Sequence, residues 1–343
     1  MVGQIRRGAN HALSARRSPR VHPRRARTGR DQMTAPAVPG GKPSITVIIL
    51  AFNEDVHIER CLTRLWPVAQ RIVLIDSFST DRTAEIARQL GAEVLQRPWK
   101  NHADQFQWGL DTVSPTTDWV MRVDCDEYLE PRLQREIVER LPSLPETVAG
   151  IEFKLRVIFR RRFIRWGGYY RTYLTRLWRN GAGRVEQRWM DERMVLSGGE
   201  TLRLHGGDLV DENLKDIDWW TAKHNGYATL HMIDFINLEY GLFPIDRSVE
   251  ASADPRARRK RFLRNRVYAA APLYLRAVLY YLQRYILRLG FLDGREGFVW
   301  HFLQGFWFFV LMDAKIDEAR GFIRAHGVEA FKAHLKSRYQ VDL

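Results

Sequence analysis

The chain has 343 residues, 45% hydrophobic and 12% aromatic, which is enough to bury the core of one large domain or two ordinary ones. Its formal net charge of +14 invites a nucleic-acid interpretation, but nine Arg and one Asp precede Met33 and leave only +6 for the remainder. The charge total is therefore not evidence for a nucleic-acid partner. Cys61 and Cys125 lie far apart in the sequence, so neither a disulfide framework nor a Cys-based zinc site is predicted.

Residues 1–43 are rich in Arg, Pro, Gly, Ala and Ser and have no hydrophobic periodicity, which predicts a disordered basic tail. The segment also lacks the apolar core of a secretory signal. An electrostatic tether to anionic lipid is one interpretation, and a dispensable extension, with Met33 as an alternative start, is the favoured one.

From Ser44 onwards, apolar runs alternate with helical patterns. The run SITVIILA predicts a strand, and residues 55–65 place apolar side chains at helical spacing. The unit then repeats, with strands at 72–75 and 93–95 and a helix between them, followed by a helix at 104–113 and a strand at 119–123. Continuous apolar strands alternating with helices predict an α/β fold with an open, mostly parallel sheet.

Polar residues follow three of these strands. Asn53, Asp76 and Asp124 each stand at a predicted carboxyl end, where open α/β sheets bind their ligands. The chain has no glycine-rich dinucleotide or P-loop motif. Asp124 and Asp126 form an Asp-x-Asp pair that suits a hard divalent cation, although a helix start at Glu127 is an alternative use of these acids.

The stretches VIILAFNED, VLIDSFSTDRT and WVMRVDCDEYLEP, in this order, resemble the N-terminal half of family 2 glycosyltransferases of the GT-A fold, over residues 44–141. The resemblance implies a nucleotide-diphospho-sugar donor, most simply a UDP-sugar, held with Mn²⁺ or Mg²⁺. The residues it implies for donor binding are Ala51, Phe52, Asn53, Glu54, Asp76, Ser77 and Asp124, and for the metal Asp124 and Asp126.

Two positions depart from the pattern of this family. Ser77 stands where many members have a second Asp after the position of Asp76. Phe106 and Gln107 stand where many have Arg-Asn, so Arg97 and Lys100 are considered as alternative diphosphate contacts.

An inverting transfer also needs a base for the acceptor hydroxyl. The stretch RLWRNGAGRVEQRWMDERMVLSGG resembles the downstream acidic motif of the lipopolysaccharide-core and exopolysaccharide branch of the family. The resemblance implies Asp191 or Glu192 as the catalytic base, with Asp191 preferred. A surface loop with ordinary charges is the alternative.

The last third predicts amphipathic helices. Residues 208–230 read as a helix covering the acceptor side, with Trp219 and Trp220 either stacking on sugars or packing in the core. Seven Arg or Lys fall within 256–266, and the longest uncharged run, 297–312, is too short for a spanning helix. These helices either lie in an anionic membrane interface or pack on the catalytic domain or another subunit.

We therefore expect a basic tail at 1–43, a GT-A catalytic domain at 44–210, and a helical acceptor-side and membrane-associating region at 211–343. The expected function is an inverting glycosyltransferase peripheral to the cytoplasmic membrane, acting on a lipid-linked oligosaccharide or lipopolysaccharide-core acceptor, with no nucleic-acid partner. The alternatives are a polyprenyl-phosphate sugar synthase, or a non-catalytic basic protein that binds nucleic acid or membrane.

Overall fold

The computed structural model of the protein describes residues 42–251 and 255–341. Residues 1–41 of the predicted tail lie outside the described residues, so the disorder expected there stays a prediction. The described residues all fall within the unit Val38–Leu343, and the domain limits predicted at 43 and 210 likewise stay predictions.

Strands and helices alternate over the first part of the chain, as the sequence predicts. Strand β1 pairs in parallel with both β2 and β4, and β2 pairs in parallel with β3. The carboxyl ends of these strands therefore meet at one edge of the sheet, where Ala51 lies opposite Asp76 and Leu50 opposite Asp124. The bounds are β1 Ile45–Ala51, α1 Asp55–Leu65, β2 Arg71–Asp76, α2 Thr83–Gln89, β3 Glu93–Gln96, α3 His102–Val113 and β4 Trp119–Asp124.

The sheet continues beyond β4 with antiparallel and parallel strands. Its order is β3-β2-β1-β4-β8-β6-β11-β5, with β7 paired to β6, and β9 and β10 form a separate hairpin. The remaining elements of this region are β5 Glu127–Leu129, α4 Pro131–Arg140, β6 Val148–Phe159, β7 Arg162–Phe163, β8 Tyr173–Arg179, β9 Gly183–Val185, β10 Met194–Leu196 and β11 Glu200–Glu212.

Both faces of the sheet are covered, which explains why its strands read as unbroken apolar runs. Successive side chains of a strand point to opposite faces. Val47 packs with Ile58 of α1 on one face, whereas Ile48 belongs to a second cluster with Phe106 and Trp178. Phe106 is thus a core residue, fully buried against the Trp178 ring.

Two sequence predictions are wrong in this region. Glu127 does not start a helix: it is a buried residue of β5, and α4 begins only at Pro131 because β5 first pairs with β11. Likewise residues 208–212 belong to β11, since Leu209 and Val210 pair in the sheet. The predicted helix begins at Ile217, where the Asp216 carboxylate accepts a hydrogen bond from the Trp219 N–H, 2.8 Å away.

The rest of the described chain is helical, which confirms the predicted helical extension. Helix α5 packs against α9, and Phe235, Met312 and Ile316 are buried in this second core. Short π-helical turns at 263–268, 283–287 and 303–307 interrupt the helices. The bounds are α5 Ile217–Tyr240, α6 Pro255–Phe262, α7 Leu275–Leu282, α8 Gly294–Phe302, α9 Phe308–His326 and α10 Val328–Tyr339.

Residues 262–302, which we call the apolar surface segment, leave many large apolar side chains in solvent. Leu287 is the most exposed, at 76%. Within residues 42–251 and 255–341, no helix combines the length and apolar character that crossing a membrane requires. The exposed members are Phe262, Leu263, Tyr274, Leu275, Val278, Leu279, Leu282, Ile286, Leu287, Leu289, Phe291, Leu292, Phe298 and Phe302.

Candidate active site

A cleft of about 1170 Å³ opens at the carboxyl edge of the sheet. It brings together nearly all the residues that the sequence singles out, although they come from four separate stretches of chain. Asp76 is the exception, because it is fully buried and is not part of the cleft wall. The predicted residues that line the cleft are Ala51, Phe52, Asn53, Glu54, Ser77, Asp124, Asp126, Asp191 and Glu192.

Asp76 fixes the loops at the edge of the cleft. Its carboxylate accepts hydrogen bonds from the Ser79 hydroxyl (2.5 Å) and from Gln96 Nε2 (2.9 Å). The Ser79 hydroxyl in turn accepts from the Asn53 N–H at 2.8 Å, and Asn53 has a left-handed φ of 54°. Asp76 therefore acts on the cleft through Ser79 and Asn53. The direct contact with the donor that the sequence implies for Asp76 stays a prediction.

Asp124 and Glu127 share one arginine of β8. Arg176 donates to Asp124 Oδ2 at 2.9 Å and to Glu127 at 2.5 Å, and Glu127 also accepts from the Asp124 N–H. Burial opposes charge on Asp124, but Arg176 and Arg122 outweigh it and hold the pKa of this carboxyl well below its ordinary value. Asp124 is thus an ionised carboxylate at the cleft. Glu127 holds Arg176 in position by accepting its other hydrogen bond.

Asp126 has a more open environment. Asn213 Nδ2 lies 3.2 Å and Lys223 Nζ 4.0 Å from its Oδ2. Asp211 of β11 lines the same cleft, and none of the described residues makes a hydrogen bond to its side chain. Burial, together with the charges of Asp126 and Glu127, raises the pKa of Asp211 well above its ordinary value.

This arrangement suits a divalent cation whose coordination shell is completed by a bound ligand. Asp124, Asp126 and Asp211 all face the cleft, where a cation would offset the burial and the neighbouring negative charges that raise the pKa of Asp211. Oxygen donors of this kind suit Mg²⁺ or Mn²⁺. Among the described residues no three His, Cys, Asp or Glu side chains are close enough to hold a metal by themselves, so substrate oxygens would have to complete the shell.

The two predicted bases have different surroundings. Glu192 is nearly buried and pairs with Arg122 at 2.8 Å. Asp191 is more exposed, has a φ of 65°, and pairs through Oδ2 with Arg264 at 2.5 Å. Despite the opposing effect of burial, Arg264 and His231 hold the pKa of Asp191 below its ordinary value. Of the two, Asp191 is therefore the carboxylate that is more accessible from the cleft.

Arg97 and Lys100, considered as diphosphate contacts, are not part of the cleft wall. Arg97 pairs with Asp104 at 2.7 Å, and Lys100 lies over the Trp189 ring. Arg171 and Arg193 do line the cleft, and in the part of the chain that the structure describes neither makes an ion pair or a hydrogen bond through its side chain. They are the better placed cations for an anionic ligand.

Sequence reasoning missed Arg122, Arg176, Asp211 and Lys223. Arg122 and Arg176 carried a signal, since each interrupts an apolar strand with a charge, and a buried charge requires a partner. Asp211 and Lys223 carried none, because strand β11 and helix α5 had been merged into one predicted helix.

An open α/β sheet with an acidic strand end, facing a cleft lined with arginines, defines a class of protein that binds an anionic ligand at the carboxyl edge. Residues 46–194 match the family described as Glycosyl transferase family 2. This segment of the chain therefore matches the family that the sequence predicts, and the predicted α/β sheet flanked by helices is confirmed. The lipopolysaccharide and exopolysaccharide branch stays a resemblance.

Similar curated proteins carry the same general description. An uncharacterized glycosyltransferase of Rickettsia bellii (strain RML369-C) is 37% identical over 93 residues, which are 27% of this chain and 31% of that protein. Another, of Rickettsia felis (strain ATCC VR-1525 / URRWXCal2), is 34% identical over 93 residues, which are 27% of this chain and 32% of that protein. The matched part thus spans about a third of the length of these relatives.

Among solved structures, glucosyl-3-phosphoglycerate synthase from Mycobacterium tuberculosis, in complex with Mn²⁺, uridine diphosphate and glucosyl-3-phosphoglycerate, is 23% identical. The likeness covers 34% of this chain and 44% of that one, with a TM-score of 0.27. A similarity this low carries no argument about the ligands of the present chain.

Proposed function

We propose that the protein is an inverting, metal-dependent glycosyltransferase that moves a sugar from a nucleotide-diphospho-sugar to a lipid-linked oligosaccharide or lipopolysaccharide-core acceptor. The observation that carries the proposal is the cleft of the segment that matches family 2, in which Asp124 and Asp126 share the wall with Arg171 and Arg193, two arginines without an ion pair among the described residues. Carboxylates alone would repel a diphosphate. Carboxylates with a divalent cation, and arginines opposite them, hold one.

The donor, for which we propose a UDP-sugar, would lie along the loop after β1. Phe52 is 56% exposed in the cleft and offers an aromatic face to the base, beside Asn53 and Ser77. Gln105 Nε2 donates to the Ser77 hydroxyl at 3.2 Å and orients it. The nucleoside would therefore sit against Phe52 and Ser77, with the ribose towards Asp124.

Asp126, supported by Asp124, would hold Mn²⁺ or Mg²⁺. When bound, the cation neutralises the charge that develops on the departing diphosphate. Arg171 and Arg193 would contact the same diphosphate as hydrogen-bond donors. Lys223, whose pKa Tyr227 and Asp126 raise despite the lowering effect of burial, keeps its positive charge beside them.

In the reaction, the acceptor oxygen forms a bond to the anomeric carbon as the bond from that carbon to the diphosphate breaks, and the electron pair leaves with the nucleoside diphosphate. The hydroxyl proton passes to a carboxylate. Asp191 is proposed for this role, because its side chain is 59% exposed, whereas that of Glu192 is only 7% exposed, and each of the two is paired with one arginine.

A thermal-shift screen of UDP-, GDP- and dTDP-sugars with and without Mn²⁺ tests the proposal, because a ligand that binds only the folded protein raises its apparent stability. We expect a Mn²⁺-dependent rise with a UDP-sugar, lost in Asp126→Asn and kept in the exposed control Asp118→Asn. No metal-dependent shift with any of these donors would contradict it.

We also propose that the protein is peripheral to the cytoplasmic face of the membrane. Residues 255–292 contain ten Arg or Lys and no Asp or Glu, and most of the exposed apolar side chains of the molecule's helical region fall in the overlapping apolar surface segment. Apolar side chains bordered by cations match a bilayer of anionic lipids. The surface therefore fits lipid better than an acidic protein partner, which would leave these apolar groups without a hydrocarbon environment.

A further inference from the structure

A second cavity, of about 680 Å³, lies beside the donor cleft. It is formed by the ends of β6 and β11, the first turns of α5, and side chains from the C-terminal helices. Asp126, Asp211 and Lys223 line both this cavity and the donor cleft. A molecule in the second cavity therefore reaches the predicted metal carboxylates from the side opposite the donor.

The wall of this cavity is aromatic and carries unused polar atoms. The Phe159 and Trp300 rings are 5.1 Å apart, and Trp300 and Tyr169 are 5.4 Å apart. The indole N–H of Trp300 and Oε1 of Gln304 are buried, and in the described part of the chain neither makes a hydrogen bond of good geometry, although Tyr169 lies beside Trp300 and His224 beside Gln304. Buried polar groups normally have partners, and an aromatic wall with a few such groups suits the ring and hydroxyls of a sugar.

Two arginines stand at the edge of the cavity. Arg160 and Arg161 form the two-residue turn between β6 and β7, with φ of 50° and 65°. Such turns favour Asn and Gly, because both residues must adopt positive φ. Both arginines are exposed, and within residues 42–251 and 255–341 neither side chain has an ion-pair or hydrogen-bond partner. The backbone conformation of Arg160 and Arg161 costs free energy. It places at the cavity two arginine side chains that have no partner among the described residues.

The cavity also adjoins the apolar surface segment. Trp166 and Gly167, which follow the arginine turn, are hydrogen-bonded to the apolar surface segment. The Gly167 N–H donates to the Arg288 carbonyl at 2.9 Å, and the Trp166 N–H donates to the Asp293 carboxylate at 2.9 Å. Leu289 and Phe291 are exposed between these two contacts. The residues that follow the arginine turn are therefore in contact with the apolar surface segment.

We infer that the second cavity binds the acceptor, with a sugar ring against Trp300 and Tyr169 and its phosphate or diphosphate on Arg160 and Arg161. This inference rests on the proposed function and adds the place and the chemical class of the acceptor, a sugar phosphate attached to lipid. Asp126 and Asp211, which line both cavities, then lie between acceptor and donor.

The test measures binding of a farnesyl-diphosphate-linked hexose and, separately, of free hexose 1-phosphate to the full chain by calorimetry. We expect Arg160→Ala/Arg161→Ala to raise the Kd for both by about tenfold or more, as expected for lost charge-assisted hydrogen bonds. The Kd for UDP with Mn²⁺ is expected to change less than twofold. Arg162→Ala is the matched control, because it removes the same charge at the adjacent exposed position that does not line the cavity.

Arg160→Lys/Arg161→Lys keeps the charge and is expected to retain most of the affinity. Equal weakening by Arg162→Ala, or unchanged binding in the double Ala variant, would overturn the inference, as would a wild type that binds neither sugar phosphate. Tighter binding of the farnesyl compound than of hexose 1-phosphate assigns the ligand to a lipid headgroup, and equal binding assigns it to the phosphorylated sugar alone. If UDP with Mn²⁺ also fails to bind the wild type, the proposed function itself is wrong.

Discussion

The sheet region and the helical region differ in the charges that they leave exposed. In the sheet region, buried cations are matched by carboxylates: Arg176 binds Asp124 and Glu127, and Arg122 binds Glu192. In the helical region, Arg261 and Arg276 are also buried and paired, with Glu186 and Asp313, but Arg258, Arg259, Arg266 and Arg288 are exposed in the same stretch as apolar side chains that remain in solvent. Internal pairing fixes a geometry for chemistry, whereas exposed cations with exposed apolar groups suit the membrane contact that we propose.

The two regions meet at the candidate site. Arg264, just after α6, holds Asp191, and Lys223 of α5 lies beside Asp126. The helical region is therefore part of the active cleft as well as the proposed membrane contact. Changes in each region should separate these two roles.

The largest effect is expected in the sheet region. Asp126→Asn should lower sugar transfer by about two to three orders of magnitude, as for loss of a group that stabilises charge in the transition state. Its fold should be retained, because among the described residues the Asp126 carboxylate accepts one hydrogen bond, from Asn213 at 3.2 Å, and otherwise contacts Lys223 at 4.0 Å. Transfer of sugar from a radiolabelled UDP-sugar measures the loss of activity, and thermal unfolding measures whether the fold is retained. Near-normal turnover would exclude Asp126 as the metal ligand.

The next effect concerns the base. Asp191→Asn should lower transfer by about two orders of magnitude or more while leaving donor affinity nearly intact, since a general base contributes to turnover and not to donor binding. Transfer rates and UDP affinity of Asp191→Asn, Asp211→Asn and Glu192→Gln should be compared. Loss in Asp211→Asn alone would move the base to Asp211. Full activity of both Asp191→Asn and Glu192→Gln would favour a polyprenyl-phosphate sugar synthase.

In the helical region, replacing exposed leucines with aspartate should weaken binding to membranes. Leu279→Asp/Leu287→Asp should reduce binding to phosphatidylglycerol-containing vesicles by about tenfold or more, because each exposed leucine contributes about 1.5 kcal/mol or more when buried in lipid. Flotation with these vesicles and with pure phosphatidylcholine vesicles measures it. Val56→Asp, at an exposed apolar position of α1, is the control. A chain that begins at Met33 measures the contribution of the tail, and unchanged flotation of the double variant would show that this segment is not the membrane contact.

The smallest effect is expected where the regions touch. The pKa of Asp191 is lowered in the folded protein, so its pairing with Arg264 stabilises the fold above the ordinary Asp pKa and is lost as pH falls through that range. Arg264→Gln should therefore cost about 1 kcal/mol or less at pH 7, the range for an exposed pair, and less again near pH 3. Urea unfolding at both pH values measures this, with the exposed Arg266→Gln as control. A cost independent of pH would show that Arg264 acts through packing alone.

Much of the site was predictable because it depends on strand order. Asn53, Asp124 and Asp126 follow apolar runs, and parallel strands bring their carboxyl ends to one edge, so local sequence was enough to group them. Glu127 was assigned to a helix start, because the acids before Pro131 resemble a helix N-terminus and the pairing of β5 with β11 is not visible locally. Arg97 and Lys100 were considered as phosphate contacts because sequence indicates which residues lie near the cleft but does not show the direction of their side chains.

By itself, the sequence determined the α/β alternation, the family, the acidic pair at the end of β4 and the basic, apolar character of the last third. These properties depend on periodicity and motif spacing, which are local. Only the tertiary structure decided that Asp211 and Lys223 join Asp126, that Glu192 is nearly buried against Arg122 whereas Asp191 is exposed beside Arg264, and that a second cavity lies beside the donor cleft. Those facts depend on contacts between residues about 70 or more positions apart, which packing sets and no local pattern encodes.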